Sequence, residues 1–169
     1  LSCVRKMIKG SVELIHTASQ GAGKITQMEE IVVIAGRGIE GDRYYEGNGT
    51  FSKSNRYADK SSTDGRDLTL IEAEAVEAVF KEQHIEIEPG THRRNITTRG
   101  VALNDLVGKK FRIGGVICKG ICLCTPCRHM EALTSKGVME ALENRGGLRA
   151  DILEGGVIKV GEEIEEIVE

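Results

Sequence analysis

The stretch Lys109-Lys-Phe-Arg-Ile-Gly-Gly-Val-Ile-Cys-Lys-Gly-Ile-Cys-Leu123 decides how this chain folds. Apolar and polar side chains alternate on both sides of Gly114-Gly115, as they do in half-buried β-strands. Gly-Gly is a favoured two-residue connection between antiparallel strands. The sequence therefore predicts a β-hairpin with strands over residues 109–113 and 116–123.

Further short strands are predicted on both sides of this hairpin. Capping and helical spacing predict one helix over residues 70–83, opened by a capping box from Thr69 to Glu72, and a second over residues 138–144. A polar segment at residues 48–66 is interpreted as a long loop, residues 104–108 as a turn or short helical piece, and the glutamate-rich last nine residues as a solvated end. The remaining predicted strands cover residues 10–18, 30–35, 91–98, 150–153 and 157–160. Many short strands with two or three short helices favour a mainly β, closed or partly closed barrel, formed by a single domain over residues 1–169.

Composition excludes several classes of partner. The chain has 169 residues, 21 glycines, 2 prolines and a net charge of −3, so no overall basic field indicates nucleic acid. No apolar run approaches the length of a membrane span, and no signal-peptide pattern opens the chain, so we expect no membrane partner. An odd number of cysteines without a secretory signal predicts a reducing, cytoplasmic location.

The segment Gly36-Arg-Gly-Ile-Glu-Gly41 has the spacing of a dinucleotide-binding loop. That function requires a helix to begin at the loop, so that its N-terminus faces a pyrophosphate. The residues that follow are turn-rich, and we therefore reject this interpretation. Asp42 and Arg43 are interpreted from the residues alone as a turn aspartate and a solvated arginine.

Four of the five cysteines lie within Cys118-Lys-Gly-Ile-Cys-Leu-Cys-Thr-Pro-Cys127. Strand alternation predicts that Cys118, Cys122 and Cys124 share a face, and Cys118 and Cys122 are interpreted as inert core residues. Pro126 ends the strand, which leaves Cys127 in the turn beyond it. Arg128 and His129 follow, and a nearby cation favours a reactive thiolate.

Cys124 and Cys127 also have the spacing of a redox pair or of metal ligands. The cluster from Cys118 to Cys127, with His129 as a substitute ligand, is thus an alternative zinc or iron site in a non-enzymatic interaction module. A single strand cannot wrap four ligands around a tetrahedral metal without distortion, which makes this the weaker alternative.

The segment His92-Arg-Arg-Asn95 places two guanidinium groups and an amide directly before a predicted strand. Arginine forks suit phosphate and other planar anions. A surface cluster of salt bridges is the ordinary alternative, and the residues alone favour it.

Taken in order, these segments resemble the MOSC family, the domain named for the C-terminus of molybdenum cofactor sulfurases. The resemblance extends over nearly the whole chain, and the ordered set is specific although each segment alone is weak. The matching segments are Gly38-Ile-Glu-Gly-Asp-Arg43, Arg93-Arg-Asn95, Gly100-Val-Ala-Leu-Asn-Asp-Leu-Val-Gly108, Lys110-Phe-Arg-Ile-Gly114, Thr125-Pro-Cys127 and Gly147-Leu-Arg-Ala-Asp-Ile-Leu-Glu-Gly-Gly-Val-Ile-Lys-Val-Gly161.

The resemblance implies a β-barrel of the pyruvate-kinase type and a role in molybdenum-cofactor or sulfur chemistry. It implies that Cys127 either ligates molybdenum or carries sulfane sulfur as a persulfide. It also implies that Arg93 and Asn95 line the pocket for the cofactor, molybdopterin. Thr125 is a candidate to donate its hydroxyl beside the thiolate, and Arg43 is a weaker candidate for the same pocket.

The resemblance leaves the activity open. A molybdenum-dependent oxidoreductase acting on N-hydroxylated compounds would need an external electron donor. A sulfurtransferase or a carrier would need a cysteine desulfurase or a cofactor-biosynthesis protein as partner. The chain shows no counterpart of the aminotransferase-like domain of full-length sulfurases, so we expect no pyridoxal phosphate in it.

Overall fold

The computed structural model describes residues 7–18, 24–42 and 65–168. Within these ranges the chain is predominantly β. Three α-helices, α1 (Ala73–Gln83), α2 (Arg128–Leu133) and α3 (Val138–Ala141), and a 3-10 helix (Leu103–Leu106) interrupt the strands. The strands are β1 (Lys9–Ala18), β2 (Ile25–Met28), β3 (Glu30–Ile34), β4 (Gly38–Ile39), β5 (Leu68–Glu72), β6 (Ile96–Arg99), β7 (Lys110–Ile113), β8 (Val116–Leu123), β9 (Leu148–Glu154), β10 (Gly156–Lys159) and β11 (Glu163–Glu166).

Seven strands close into a barrel in the order β11-β7-β8-β9-β5-β6-β1, and β1 pairs back onto β11. Lys9 lies opposite Glu165 at this closing seam, and β2 extends the sheet beyond β1. The pair β5–β6 is parallel, whereas the other neighbours in the ring are antiparallel. A parallel pair needs a crossover connection, which α1 supplies. The β-barrel prediction is therefore confirmed.

The barrel interior is filled by one face of each strand. On β7 the residues alternate between exposed and buried, and Phe111 and Ile113 are completely buried. One row of cross-strand partners runs through five strands and consists of Ile15, Ile96, Leu70, Leu148 and Leu123. Four of these five side chains belong to the main core. This row fixes the register of the strands that carry the site described below.

A second, smaller core lies under the helices. Val79 of α1, Met130 of α2 and Val138 of α3 are buried together with Ile71, and the Cys127 side chain packs against this group.

A second sheet has the strand order β10-β3-β4. Its strand β4 contains Gly38, which belongs to the segment with the spacing of a dinucleotide-binding loop. Residues 36–42 form turns and β4 rather than a helix, in agreement with the rejection of a dinucleotide site.

The local predictions are confirmed for the hairpin across Gly114-Gly115, for the first strand, for the strand at residues 30–34 and for the two strands near residues 148–159. The turn at residues 104–108 contains the end of the 3-10 helix. The strand predicted over residues 91–98 is shorter and begins at Ile96, and the second helix ends at Ala141. Residues 48–64 of the predicted loop lie outside the described residues.

The predicted start of the first helix was wrong. Residues 68–72 form β5, and α1 begins only at Ala73, with no capping bond from the Glu72 side chain. The Thr69 hydroxyl donates to Asn95 Oδ1 at 2.9 Å instead of capping a helix. A long-range partner therefore draws this segment into the barrel.

The prediction that the C-terminal end is solvated was also wrong. β11 pairs with both β1 and β7 and completes the barrel. Ile164 is completely buried, and Glu166 is buried with its carboxylate 3.7 Å from Lys109 Nζ. None of the helices in the described ranges is long and apolar enough to cross a membrane.

Candidate functional site

The cysteine-rich segment leaves the barrel at the end of β8. Gly120 lies opposite Ala150, but Cys122 lies opposite Arg149, so β8 has an extra residue at this bulge. A bulge interrupts the alternation of a strand. Cys122 consequently points to solvent, and its interpretation as a core residue was wrong.

The four cysteines differ in burial because of the bulge and the end of β8. Cys118 is completely buried, and burial, reinforced by the nearby carboxylates of Asp67 and Asp151, raises the pKa of its thiol to about 12. Cys124 is buried, and Cys127 is half-buried. Within residues 7–18, 24–42 and 65–168, no group of three or more His, Cys, Asp or Glu side chains could hold a metal ion. The zinc or iron cluster therefore has no support among these cysteines.

Cys127 is the residue directly before α2, a short helix that the sequence analysis missed. Its carbonyl accepts the first bond of this helix, from the Glu131 N–H at 3.0 Å. The run Arg128-His-Met-Glu-Ala-Leu133 contains no glycine or proline and has a good helix-forming composition, a signal that could have identified it. Glu131 then joins α2 to α3, because its Oε1 accepts from the N–H groups of Gly137 and Met139.

The arginine segment is buried, so the surface-cluster interpretation was wrong. The exposed fractions are 8% for Arg93 and 7% for Arg94. Arg93 has a left-handed backbone with φ of 66°, and its N–H donates to the Gly90 carbonyl at 3.0 Å. Both arginines line a small cavity of about 10 Å³ beside His16.

Asn95 is buried and its amide bonds within the protein. Its Oδ1 accepts from the N–H and the hydroxyl of Thr69 at 3.2 and 2.9 Å, and its Nδ2 donates to the His16 carbonyl at 3.2 Å. In this arrangement Asn95 holds β5, β6 and β1 together next to Arg93. Its predicted contact with a cofactor stays a prediction.

His92 is buried beside the arginines and is neutral. Burial, and secondarily the positive charge of Arg94 and the nearby His16, lower its pKa to about 3. Its Nδ1 accepts the Arg94 N–H at 3.0 Å. Since Nδ1 is an acceptor, the proton of the neutral ring is on Nε2.

Arg94 connects this segment with the cysteine segment, and the sequence analysis gave it no role of its own. Its Nε donates to the Gly146 carbonyl at 2.9 Å. Gly146 in turn lies against Cys124 and Pro126, and the Cys124 N–H donates to the Gly147 carbonyl at 2.7 Å. No local pattern signals this contact, because Arg94 and Gly146 are far apart in the sequence.

A cleft of about 540 Å³ opens next to the cysteine segment. One wall is the end of β8 and the following turn, and the other is α3 with the residues after it. Thr125, an exposed candidate site residue, lies on the first wall, and Glu140 and Glu143 lie on the second. The complete lining is Leu123, Cys124, Thr125, Pro126, Met139, Glu140, Glu143, Asn144 and Gly146.

The structure thus brings Arg94, Gly146 and the segment from Cys124 to Cys127 together, with Arg93 and Asn95 adjacent to Arg94 in the chain. Asp42, from the Gly-Ile-Glu-Gly-Asp-Arg turn, is buried and accepts the Ala18 N–H at 2.9 Å at the end of β1. Its interpretation as an ordinary turn residue missed this anchoring bond. Arg43 lies outside the described residues.

Comparison with known proteins agrees with these observations. A family model for the MOSC domain matches residues 58–165, more than half of the chain. Comparison with curated protein sequences gives no match.

Solved structures share the fold at low sequence identity. The YuaD protein from Bacillus subtilis has a TM-score of 0.79 at 16% identity, with 97% of this chain and 99% of that chain covered. YiiM from Escherichia coli has a TM-score of 0.64 at 17% identity, covering 98% of this chain and 71% of that chain. YiiM from Geobacillus stearothermophilus has a TM-score of 0.65 at 12% identity, covering 94% and 75%.

Proposed function

The chain belongs to the MOSC domain family, and we propose that it binds the molybdenum cofactor through Cys127 and Arg93. One observation carries the proposal. The half-buried Cys127 ends a segment that lines a cleft, and the buried Arg94, next to Arg93 in the chain, bonds to Gly146 beside the same segment.

The chemistry of these groups fits a metal-bound pterin. A thiolate is a soft ligand suited to a transition metal, and a guanidinium is a planar donor suited to a phosphate. The cleft volume of about 540 Å³ lies within the usual range for small-molecule sites. The carboxylates of Glu140 and Glu143 line the far wall, so the anionic end of a ligand is disfavoured there. Arg93 lines the small cavity beside His16 rather than this cleft, so the proposal requires the ligand to extend from the cleft towards it.

When bound, the cofactor supplies a metal that exchanges electron pairs with a substrate. The protein's own residues would bind and orient it: Cys127 as the thiolate ligand, Arg93 as the donor to the phosphate, and Thr125 as a hydroxyl beside the thiolate. Asn95 would keep Arg93 in place through its bonds to Thr69 and His16. If the bound form reduces N-hydroxylated compounds, an external electron donor is required.

The test is metal and pterin analysis of the full chain produced in a molybdenum-sufficient host. We expect stoichiometric molybdenum and pterin fluorescence in the unmodified protein and loss of both, about tenfold or more, in Cys127→Ser, since a metal–thiolate bond is removed. Cys122→Ser is the matched control, because Cys122 is an exposed thiol on β8, before the segment from Cys124 to Cys127. Molybdenum absent from the unmodified protein, or retained fully by Cys127→Ser, would refute the proposal.

A second candidate function is sulfur carriage by a Cys127 persulfide. It is favoured by the access of the Cys127 thiol, which is half-buried whereas Cys118 and Cys124 are buried. Cys122 is also accessible, and the Cys122→Ser variant separates its contribution from that of Cys127. In this step the Cys127 thiolate attacks the terminal sulfur of a donor persulfide. The donor S–S bond breaks, the donor leaves as a thiolate, and Cys127 keeps the transferred sulfur.

Intact-mass measurement after incubation with a cysteine desulfurase and cysteine tests this function. We expect a gain of one sulfur atom in the unmodified protein and in Cys122→Ser, removed by a reductant. The gain should be lost in Cys127→Ser, because the accepting thiolate is missing. Persistence of the adduct in Cys127→Ser would show that another thiol accepts the sulfur.

A further inference from the structure

Arg94 forms buried hydrogen bonds to two segments that are distant in sequence. Its Nε donates to the Gly146 carbonyl at 2.9 Å and its Nη1 donates to the His92 carbonyl at 3.3 Å. Only 7% of the residue is exposed, so these bonds are shielded from water. Hydrogen bonds from a charged donor are about twice as strong as neutral ones.

The Gly146 end of this contact acts on the cysteine segment. A Cβ atom at Gly146 would lie 2.4 Å from the Cys124 carbonyl oxygen and 2.7 Å from Pro126 Cδ. The Cys124 N–H also donates to the Gly147 carbonyl at 2.7 Å. We name Gly146-Gly147 the glycine strap. It touches the residues directly before Cys127, and Arg94 binds its Gly146 carbonyl.

The His92 end of the contact acts on Arg93. The Arg94 N–H donates to His92 Nδ1 at 3.0 Å, while the Arg94 side chain binds the His92 carbonyl. The first bond uses the N–H that follows Arg93 and the second uses the carbonyl that precedes it. Together the two bonds bridge Arg93, which has a φ of 66°. A left-handed non-glycine residue persists only where surrounding bonds hold it. Arg94 supplies two such bonds.

We propose that Arg94 is a positioning residue that fixes the Cys127 segment relative to Arg93. This inference rests on the proposed function in taking Cys127 and Arg93 as the ligand-binding groups. Arginine is required because its fork reaches the strap and the His92 carbonyl at the same time, whereas a lysine ammonium is one compact charge. Without the fork, the strap and the turn before Cys127 loosen, and the Cys127 thiol becomes more accessible.

The test compares Arg94→Lys with unmodified protein in the full chain. Iodoacetamide alkylation is followed over time, and peptide mass spectrometry gives a separate rate for each cysteine. We expect the Cys127 rate to rise about tenfold, the change that accompanies loss of one charged hydrogen bond from a locally opening segment. The rate at Cys122 in the same sample should stay within about twofold, because Cys122 is already exposed.

Arg99→Lys is the matched control. Arg99 lies on β6, and its guanidinium binds the carboxylates of Glu13 and Glu77 rather than the strap. We expect it to leave the Cys127 rate unchanged, even where the melting temperature falls as much as in Arg94→Lys. An unchanged Cys127 rate in Arg94→Lys, or an equal rise in Arg99→Lys, would overturn the proposal.

A second variant keeps the proposal testable if Arg94→Lys folds poorly. Gly146→Ala introduces a Cβ against the Cys124 carbonyl and should raise the Cys127 rate from the strap side. In the double variant, Arg94→Lys with Gly146→Ala, the free-energy effects of the two substitutions on the Cys127 alkylation rate should not add, since both act through one contact. Purely additive effects would contradict a shared mechanism. These rates need no bound molybdenum, so a failed cofactor assignment does not affect the result.

Discussion

At the scale of single residues, backbone strain and burial of polar groups coincide between His92 and Asn95. Arg93 has a positive φ of 66°, which costs a long-chain residue about 1–3 kcal/mol. His92, beside it, is held neutral because its pKa is lowered to about 3. Such costs are tolerated where a site needs a fixed arrangement, so the strain and burial of these residues favour a functional role independently of the family.

The lowered pKa of His92 makes stability depend on pH in a defined direction. The unfolded chain binds a proton to this imidazole below a pKa of 6.5, whereas the folded protein does so only near 3. The contribution of His92 to the free energy of unfolding is therefore fully present above pH 6.5 and decreases as the pH falls towards 3. We expect His92→Asn, which retains an acceptor for the Arg94 N–H, to lose stability less steeply.

Urea denaturation of both proteins from about pH 7 to about pH 4 measures this effect. The difference in the free energy of unfolding between the two proteins should change by about 2–3 kcal/mol over that range. Carboxylates distant from His92 and common to both proteins cancel in the difference. His16, whose pKa is also lowered by burial, contacts the His92 ring and contributes to the measured change. Parallel curves would mean that His92 is not the titrating group.

At the scale of elements, β8 determines which cysteine is available for chemistry. A Cβ at Gly120 would lie 2.1 Å from the Leu106 carbonyl oxygen, so only glycine allows the 3-10 helix to approach β8 here. The bulge directly after Gly120 turns Cys122 outwards. Strand alternation predicts Cys118 correctly because it precedes the bulge, and it fails at Cys122 because a bulge has no side-chain periodicity of its own.

The other element predictions divide in the same way between local and distant causes. The hairpin at Gly114-Gly115 is predictable because turn chemistry and alternation lie in one short stretch. The strand at Leu68–Glu72 is not, because Thr69 is drawn to Asn95 rather than to the helix that follows. For the site, Cys127 and Arg93 can be taken from a family resemblance, but the bond from Arg94 to Gly146 depends on tertiary contacts that no local pattern encodes.

At the scale of the whole molecule, the site depends on the register of the barrel. Asn95, Gly147 and Cys124 are each adjacent in the chain to a member of the row Ile15-Ile96-Leu70-Leu148-Leu123. A shift of one strand in this row would separate the glycine strap from Cys124. Closure of the ring by β11 leaves no free edge in those seven strands, and it thereby maintains the register on which the site depends.

The closing strand should therefore contribute strongly to stability despite its four-residue length. Ile164 is completely buried and lies opposite Ile113 on β7 and Gly10 on β1. We expect Ile164→Ala to lower the free energy of unfolding by about 2–5 kcal/mol, the usual cost of removing a buried isoleucine side chain. Ile34→Ala is the matched control, because Ile34 is 38% exposed on the separate sheet and should lose at most about 1 kcal/mol. Urea denaturation followed by circular dichroism measures both values. If the two substitutions cost the same, the buried Ile164 side chain would contribute no more to stability than an exposed isoleucine.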